Sequence, residues 1–95
     1  MGANRINRIN EEVRRELSEI IRELKDPRIP MMTSVVSVSV TADLRYATVY
    51  VSIFGDEEVK KNALSALKKS AGFVRRELGH RLNLRYDFFI FLFLR

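Results

Sequence analysis

Ile6, Ile9, Val13, Leu17, Ile20, Ile21 and Leu24 recur at steps of three and four, which places them on one stripe of a long helix. The positions between them alternate in charge, and Glu11 with Arg15 and Ser18 with Arg22 lie four apart, as on a solvated helical face. Pro27 ends this helix, because it has no amide hydrogen and disfavours helical geometry at Asp26. Pro30 keeps the connector extended. At Val36 the period drops to two: Val36, Val38 and Val40 alternate with Ser37, Ser39 and Thr41, the pattern of a strand with one buried face. Residues 41–45 read as a connection. In a second strand, Tyr46 to Phe54, Ala47, Val49, Val51 and Ile53 alternate with Thr48, Tyr50 and Ser52. The pair predicts a hairpin.

Gly55-Asp56 stops the second strand, and Asp56, Glu57 and Glu58 place negative charge at the start of the next helix, where the helix dipole favours it. Val59, Ala63, Ala66 and Leu67 form its apolar face, with Lys61, Ser65 and Lys68 outward. Gly72 is expected to kink the run, after which Val74, Leu78 and Leu82 continue at four-residue spacing toward Asn83. Tyr86 and the apolar run to Leu94 predict a third strand, expected to be buried on both faces because it does not alternate. The order is αββααβ. A single α+β domain over residues 1–95 follows, with the helices on one face of a three-stranded sheet.

Composition narrows the chemistry. With no cysteine, neither a disulfide framework nor a thiolate metal site is available, and a cytoplasmic location is the default. The N-terminal residues lack the apolar core of a signal peptide. The longest apolar run, Phe88 to Leu94, falls far short of the roughly 20 residues of a membrane-spanning helix. His80 is the only histidine, no nucleophile elbow surrounds any serine, and Glu11, Glu12, Glu16, Glu19 and Glu23 spread along one helix without a metal-binding motif. The expectation is a protein that is not an enzyme and uses no cofactor or metal.

Charge points elsewhere. Lys60 to Arg85 hold eight basic side chains and one acid, Glu77, although the whole chain has a net charge of only +5. Such a block asks for a polyanion, and RNA is the foremost one. Lys68, Lys69, Arg75, Arg76, Arg81 and Arg85 are the candidate phosphate contacts; Arg81 also lies near the Val74, Leu78, Leu82 line, where its stem would cover the core. Arg28 and Arg45 sit in connections, where each would grip a phosphate or pair with Asp26 or Asp43. Phe73 is expected to pack in the core rather than stack on a base, and Tyr46, Tyr50 and Tyr86 to pack half-buried on the sheet.

Lys25-Asp26-Pro27-Arg28-Ile29, then Asp43-Leu44-Arg45-Tyr46-Ala47-Thr48-Val49-Tyr50-Val51-Ser52, then Ala66-Leu67 through Gly72-Phe73-Val74-Arg75-Arg76-Glu77-Leu78 with Leu84-Arg85-Tyr86 resemble the bacterial ribosome-binding factor A family across nearly the whole chain. The resemblance implies a type II KH-like domain whose GxxG loop is replaced by an interhelical AxG kink. Here Ser70-Ala71-Gly72 occupies the kink, and no glycine pair has GxxG spacing. The Ser70 hydroxyl is expected to bond back to a helix carbonyl. After Tyr86 the family continues with a Pro-Glu-Leu-like turn and a polar tail, whereas Asp87-Phe88-Phe89-Ile90-Phe91-Leu92-Phe93-Leu94-Arg95 follows here, so no separate tail domain is expected. A monomer is the plain expectation for a chain of this size, and the family likeness further implies an assembly factor that binds the immature small (30S) ribosomal subunit through 16S rRNA. It would assist late maturation and rRNA processing and support growth in the cold, with neither membrane nor small-molecule partners. Two alternatives from the charge pattern are a general nucleic-acid binder and a module for an acidic protein.

Overall fold

The apolar stripe of the first helix fixes the architecture. In a computed structural model, which describes residues 2–83 and 89–95, the elements are α1 (Gly2–Glu23), β1 (Ser34–Val40), β2 (Tyr46–Ser52), α2 (Glu57–Lys69), α3 (Ala71–Leu82) and β3 (Phe89–Leu94). Val13, Leu17, Ile20 and Ile21 of α1 are buried against Val35, Val38, Val40, Ala47, Val49 and Val51 of the hairpin and Ala63, Leu67, Val74 and Leu78 of α2 and α3. All three helices thus cover one face of the sheet, as the αββααβ order predicts. The sheet order is β1-β2-β3, antiparallel between β1 and β2 and parallel between β2 and β3. A parallel neighbour requires a crossover, which α2 and α3 supply.

Side-chain contacts lock the elements together at their ends. Asn10 Oδ1 of α1 accepts from the Val40 amide at 2.9 Å, tying the helix to the end of β1. Asp56 caps α2 by accepting from the Val59 amide at 2.9 Å, one of the donors that a helix start leaves unpaired. Asn83 closes α3 in the left-handed region, with φ 55°, a conformation asparagine tolerates. On the surface of α1, Glu11 pairs with Arg14 at 2.8 Å rather than with Arg15.

Two strand expectations are corrected. Val36 does not share the inward face with Val38 and Val40, because a bulge lies between Val35, which pairs with Val51, and Ser37, which pairs with Tyr50. The extra residue shifts the alternation, so Val35 turns inward instead. β3 is not buried on both faces either. Leu92 faces the core, while Phe89, Phe91 and Phe93 are exposed, because one helical layer leaves the other face of the sheet uncovered. The segment from Tyr86 to Phe88 lies outside the described residues.

Gly55 marks the turn from β2 into α2 with φ +146°, and a Cβ added there would lie 2.6 Å from Val59 Cγ1. Both backbone and space therefore exclude a side chain. Gly55→Ala should lower stability by about 1–3 kcal/mol in thermal melts. Adding Val59→Ala should recover only part of the loss, since it removes the Cγ1 contact but leaves the Val59 Cβ 2.8 Å away and the backbone strain in place.

Candidate nucleic-acid interface

Ser70 is the pivot between the two cationic helices. Its amide donates to both the Ala66 and Leu67 carbonyls at 3.1 Å, closing α2, and its carbonyl accepts from the Val74 amide at 2.9 Å, opening α3. With φ −87° and ψ 0° it sits between helical and extended geometry. The expected back-bond comes from the backbone, and the Ser70 hydroxyl makes no capping hydrogen bond at α3.

Gly72 plays a different part from the one expected. It lies inside α3, Gly55 is the only glycine with positive φ among the described residues, and a Cβ on Gly72 would meet nothing within 4 Å. The bend belongs to Ser70, and Gly72 leaves a bare stretch of exposed helix beside it. Gly72→Ala should therefore act opposite to Gly55→Ala in the same melts, raising stability by up to about 1 kcal/mol through helix propensity.

Cations flank this pivot on both sides. Lys68 and Lys69 end α2 and are exposed, as is Arg76 on α3; two lysines at a helix C-terminus also complement its dipole. Lys61 shares the Lys68 and Lys69 face, lining one shallow depression with Leu64, Ser65, Lys68 and Lys69. Its spacing of seven from Lys68 already signalled this, although it was not among the expected contacts. Lys68 and Ala71 also border a trough whose other wall is Ile90, Phe91, Leu92 and Phe93 of β3. Arg75 is half-buried, its guanidinium carbon 4.8 Å from the centre of the Phe89 ring. Phe73 is 43% exposed, which corrects the expectation of core packing: at the first turn of α3 it points away from the line of Val74 and Leu78.

The remaining candidates fall elsewhere. Arg81, read both as a phosphate contact and as a side chain lying back over the core, reaches across to α1, with Glu23 at 3.0 Å, Glu19 at 3.2 Å and Glu16 at 3.5 Å, and has Glu77 at 3.8 Å. Four carboxylates around one guanidinium leave it a tie between helices. Arg28 pairs with Asp26 at 3.0 Å, and its hydrogen bond holds the Asp26 carboxyl below its ordinary pKa. In the hairpin loop, the Thr41 hydroxyl donates to Asp43 at 2.6 Å and the Arg45 amide does so at 3.1 Å. These bonds lower the Asp43 pKa, the hydroxyl most. Arg85 lies outside the described residues.

The geometry that remains is a cationic helix pair bent at one residue, with a bare glycine, an exposed phenylalanine and a trough against the sheet edge. The family profile for ribosome-binding factor A matches residues 5–87. The ribosome-binding factor A of Clostridium tetani is 63% identical over 87 residues, covering 90% of this chain and 72% of the relative. That of Acetivibrio thermocellus is 59% identical over 83 residues, covering 86% and 68%. The Thermus thermophilus crystal structure superposes with a TM-score of 0.82 at 27% identity, covering 94% of each chain. The Thermotoga maritima solution structure assigned to the same factor gives 0.86 at 30% identity, covering 96% of this chain and 87% of the other. The KH-like topology expected from the sequence is the one these structures share. By fold, by sequence and by the kink that replaces a GxxG loop, the chain belongs to the ribosome-binding factor A family.

Proposed function

We propose that this protein binds the immature small (30S) ribosomal subunit through 16S rRNA and assists its late maturation and rRNA processing, acting by position and charge rather than by catalysis. The observation that carries this reading is the set of lysines and arginines on both sides of the Ser70 bend: Lys61, Lys68 and Lys69 on α2, Arg75 and Arg76 on α3. It is supported by a Thermus thermophilus ribosome-binding factor A homology model fitted into the map of a 30S complex, which matches this chain with a TM-score of 0.68 at 29% identity, covering 90% of this chain and 87% of that one. The exposed Gly72 lets a phosphate backbone approach closely, and α3 opens without a side-chain cap, leaving helix-start amides suited to an anion. Arg81 is left out of the contact set, because α1 holds it. Phosphate contacts supply affinity and the shape of the folded RNA supplies choice. The protein acts in the cytoplasm as a monomer, with no small-molecule substrate.

Gradient sedimentation of a cell extract tests this. The protein should travel with free small subunits and not with translating ribosomes, and raising the salt should release it steeply as counterions return to the phosphates. Association that survives nuclease treatment would overturn the reading in favour of an acidic protein partner. Equal binding to duplex DNA and to the particle would reduce it to general nucleic-acid affinity.

A further inference from the structure

The face of the sheet turned away from the helices is built in rows. Ser39, Thr48 and Phe91 pair across the three strands, as do Ser37, Tyr50 and Phe93, and Tyr46 pairs with Phe89. The Tyr46 ring lies 6.0 Å from that of Phe89 and 5.9 Å from that of Phe91, and Tyr50 lies 5.7 Å from Phe93. These five rings are each 39–48% exposed. A contiguous exposed aromatic surface of this kind marks an interaction site on a small protein.

The surroundings choose the occupant. β1, β2 and β3 contain no acidic residue, and hydroxyls of Ser37, Ser39 and Thr48 share the rows with the rings. Arg75 comes from α3 to lie 4.8 Å from the Phe89 ring, and Lys68 of α2 borders the depression that Phe91 and Phe93 also line, so cations of both helices stand beside the aromatic strand. A second copy of a chain with net charge +5 meets like-charge repulsion, whereas a polyanion is drawn in. Aromatic rings beside cations are the elements that hold unpaired bases.

We propose that this open sheet face stacks the unpaired bases of single-stranded RNA, with Arg75 holding the phosphate of a strand that passes from the helix pair to the sheet. The guanidinium is suited to both tasks, its flat face on a ring and its edge on a phosphate. β3 begins at Phe89, beyond the family match that ends at residue 87, so three of the five rings come from a segment outside that match. The inference rests on the reading of the chain as an RNA binder; it shares Arg75 with the helix pair, but its stacking surface is a different face.

The test uses the full chain and a short, fluorescently labelled oligouridine with one 4-thiouridine. Phe91→Leu and Tyr50→Leu, which keep apolar bulk and remove a ring, should each weaken binding about five- to hundredfold. Phe91→Tyr should bind as the parent does, and salt dependence should not change, because stacking releases no counterions. Crosslinks should map to β2 and β3. Leucine variants that bind like the parent while Arg76→Glu abolishes binding would overturn the sheet inference and leave the RNA reading standing. If the parent neither binds the RNA nor travels with small subunits, the functional reading itself falls. A concentration-dependent dimer dissolved by Phe91→Leu would instead assign the face to a second copy. Thermal melts of each variant, with Phe91→Tyr as the ring-retaining comparison, separate lost stacking from lost folding.

Discussion

Replacing Arg75 and Arg76 together by glutamate should remove the protein from the free small-subunit fractions and weaken its binding to isolated 16S rRNA about a hundredfold or more. The size follows from two charge-assisted hydrogen bonds, each contributing about 1.5–3 kcal/mol, before the repulsion of two new carboxylates is counted. A second readout guards against a trivial loss of folding: the slope of log affinity against log salt should fall by roughly two, one for each phosphate contact removed. Arg75 also covers the Phe89 ring, an exposed cation–π contact worth about 0.5–1 kcal/mol, so the melting midpoint should move by only a few degrees. Arg81→Gln provides the contrast. It lies on the same helix but is engaged by Glu16, Glu19 and Glu23 of α1, so its loss should leave the salt slope intact. A folded Arg75, Arg76 double variant that still travels with small subunits would move the contact to another surface.

The largest expected loss of stability comes from Leu17→Ala. Leu17 is 0% exposed in the middle of α1, the element that packs on both β1 and α3. Truncation removes buried methyl groups and leaves a cavity that a helix pinned through Asn10 and Arg81 is poorly placed to close. A loss of about 2–5 kcal/mol is expected, a large share of the roughly 5–15 kcal/mol that holds a domain of this kind together. The melting midpoint should drop by about 10–30 °C. A drop of only a few degrees would mean that α1 is not central to the core.

The α1 stripe and the β1–β2 hairpin were legible in the sequence because their information is local: a period near 3.6, then a period of two, with prolines and Gly55 as boundaries. Two of the strand expectations failed for one reason, which is that the deciding partner lies elsewhere in the chain. Val36 turned out of the core because the extra residue of a bulge is visible only once β2 is paired alongside. Phe89, Phe91 and Phe93 read as buried because an apolar run does not reveal how many layers cover a sheet. For Arg81 the sequence left two readings open, because three of its four carboxylates stand 58 to 65 residues earlier. The basic block and its kink were plain from spacing. That the bend belongs to Ser70, with Gly72 as bare surface beside it, required the hydrogen bonds.

Parallel pairing of β3 with β2 has a consequence for how the molecule is made. The hairpin and α1 close short loops, so they can form early, but β3 has no place to dock until both crossover helices are laid down. Synthesis from the N-terminus presents this phenylalanine-rich strand to a finished template. Dilution from denaturant exposes it alongside everything else, while the template is still assembling. Yield on refolding should therefore fall as concentration rises, through cross-β assembly of residues 89–94.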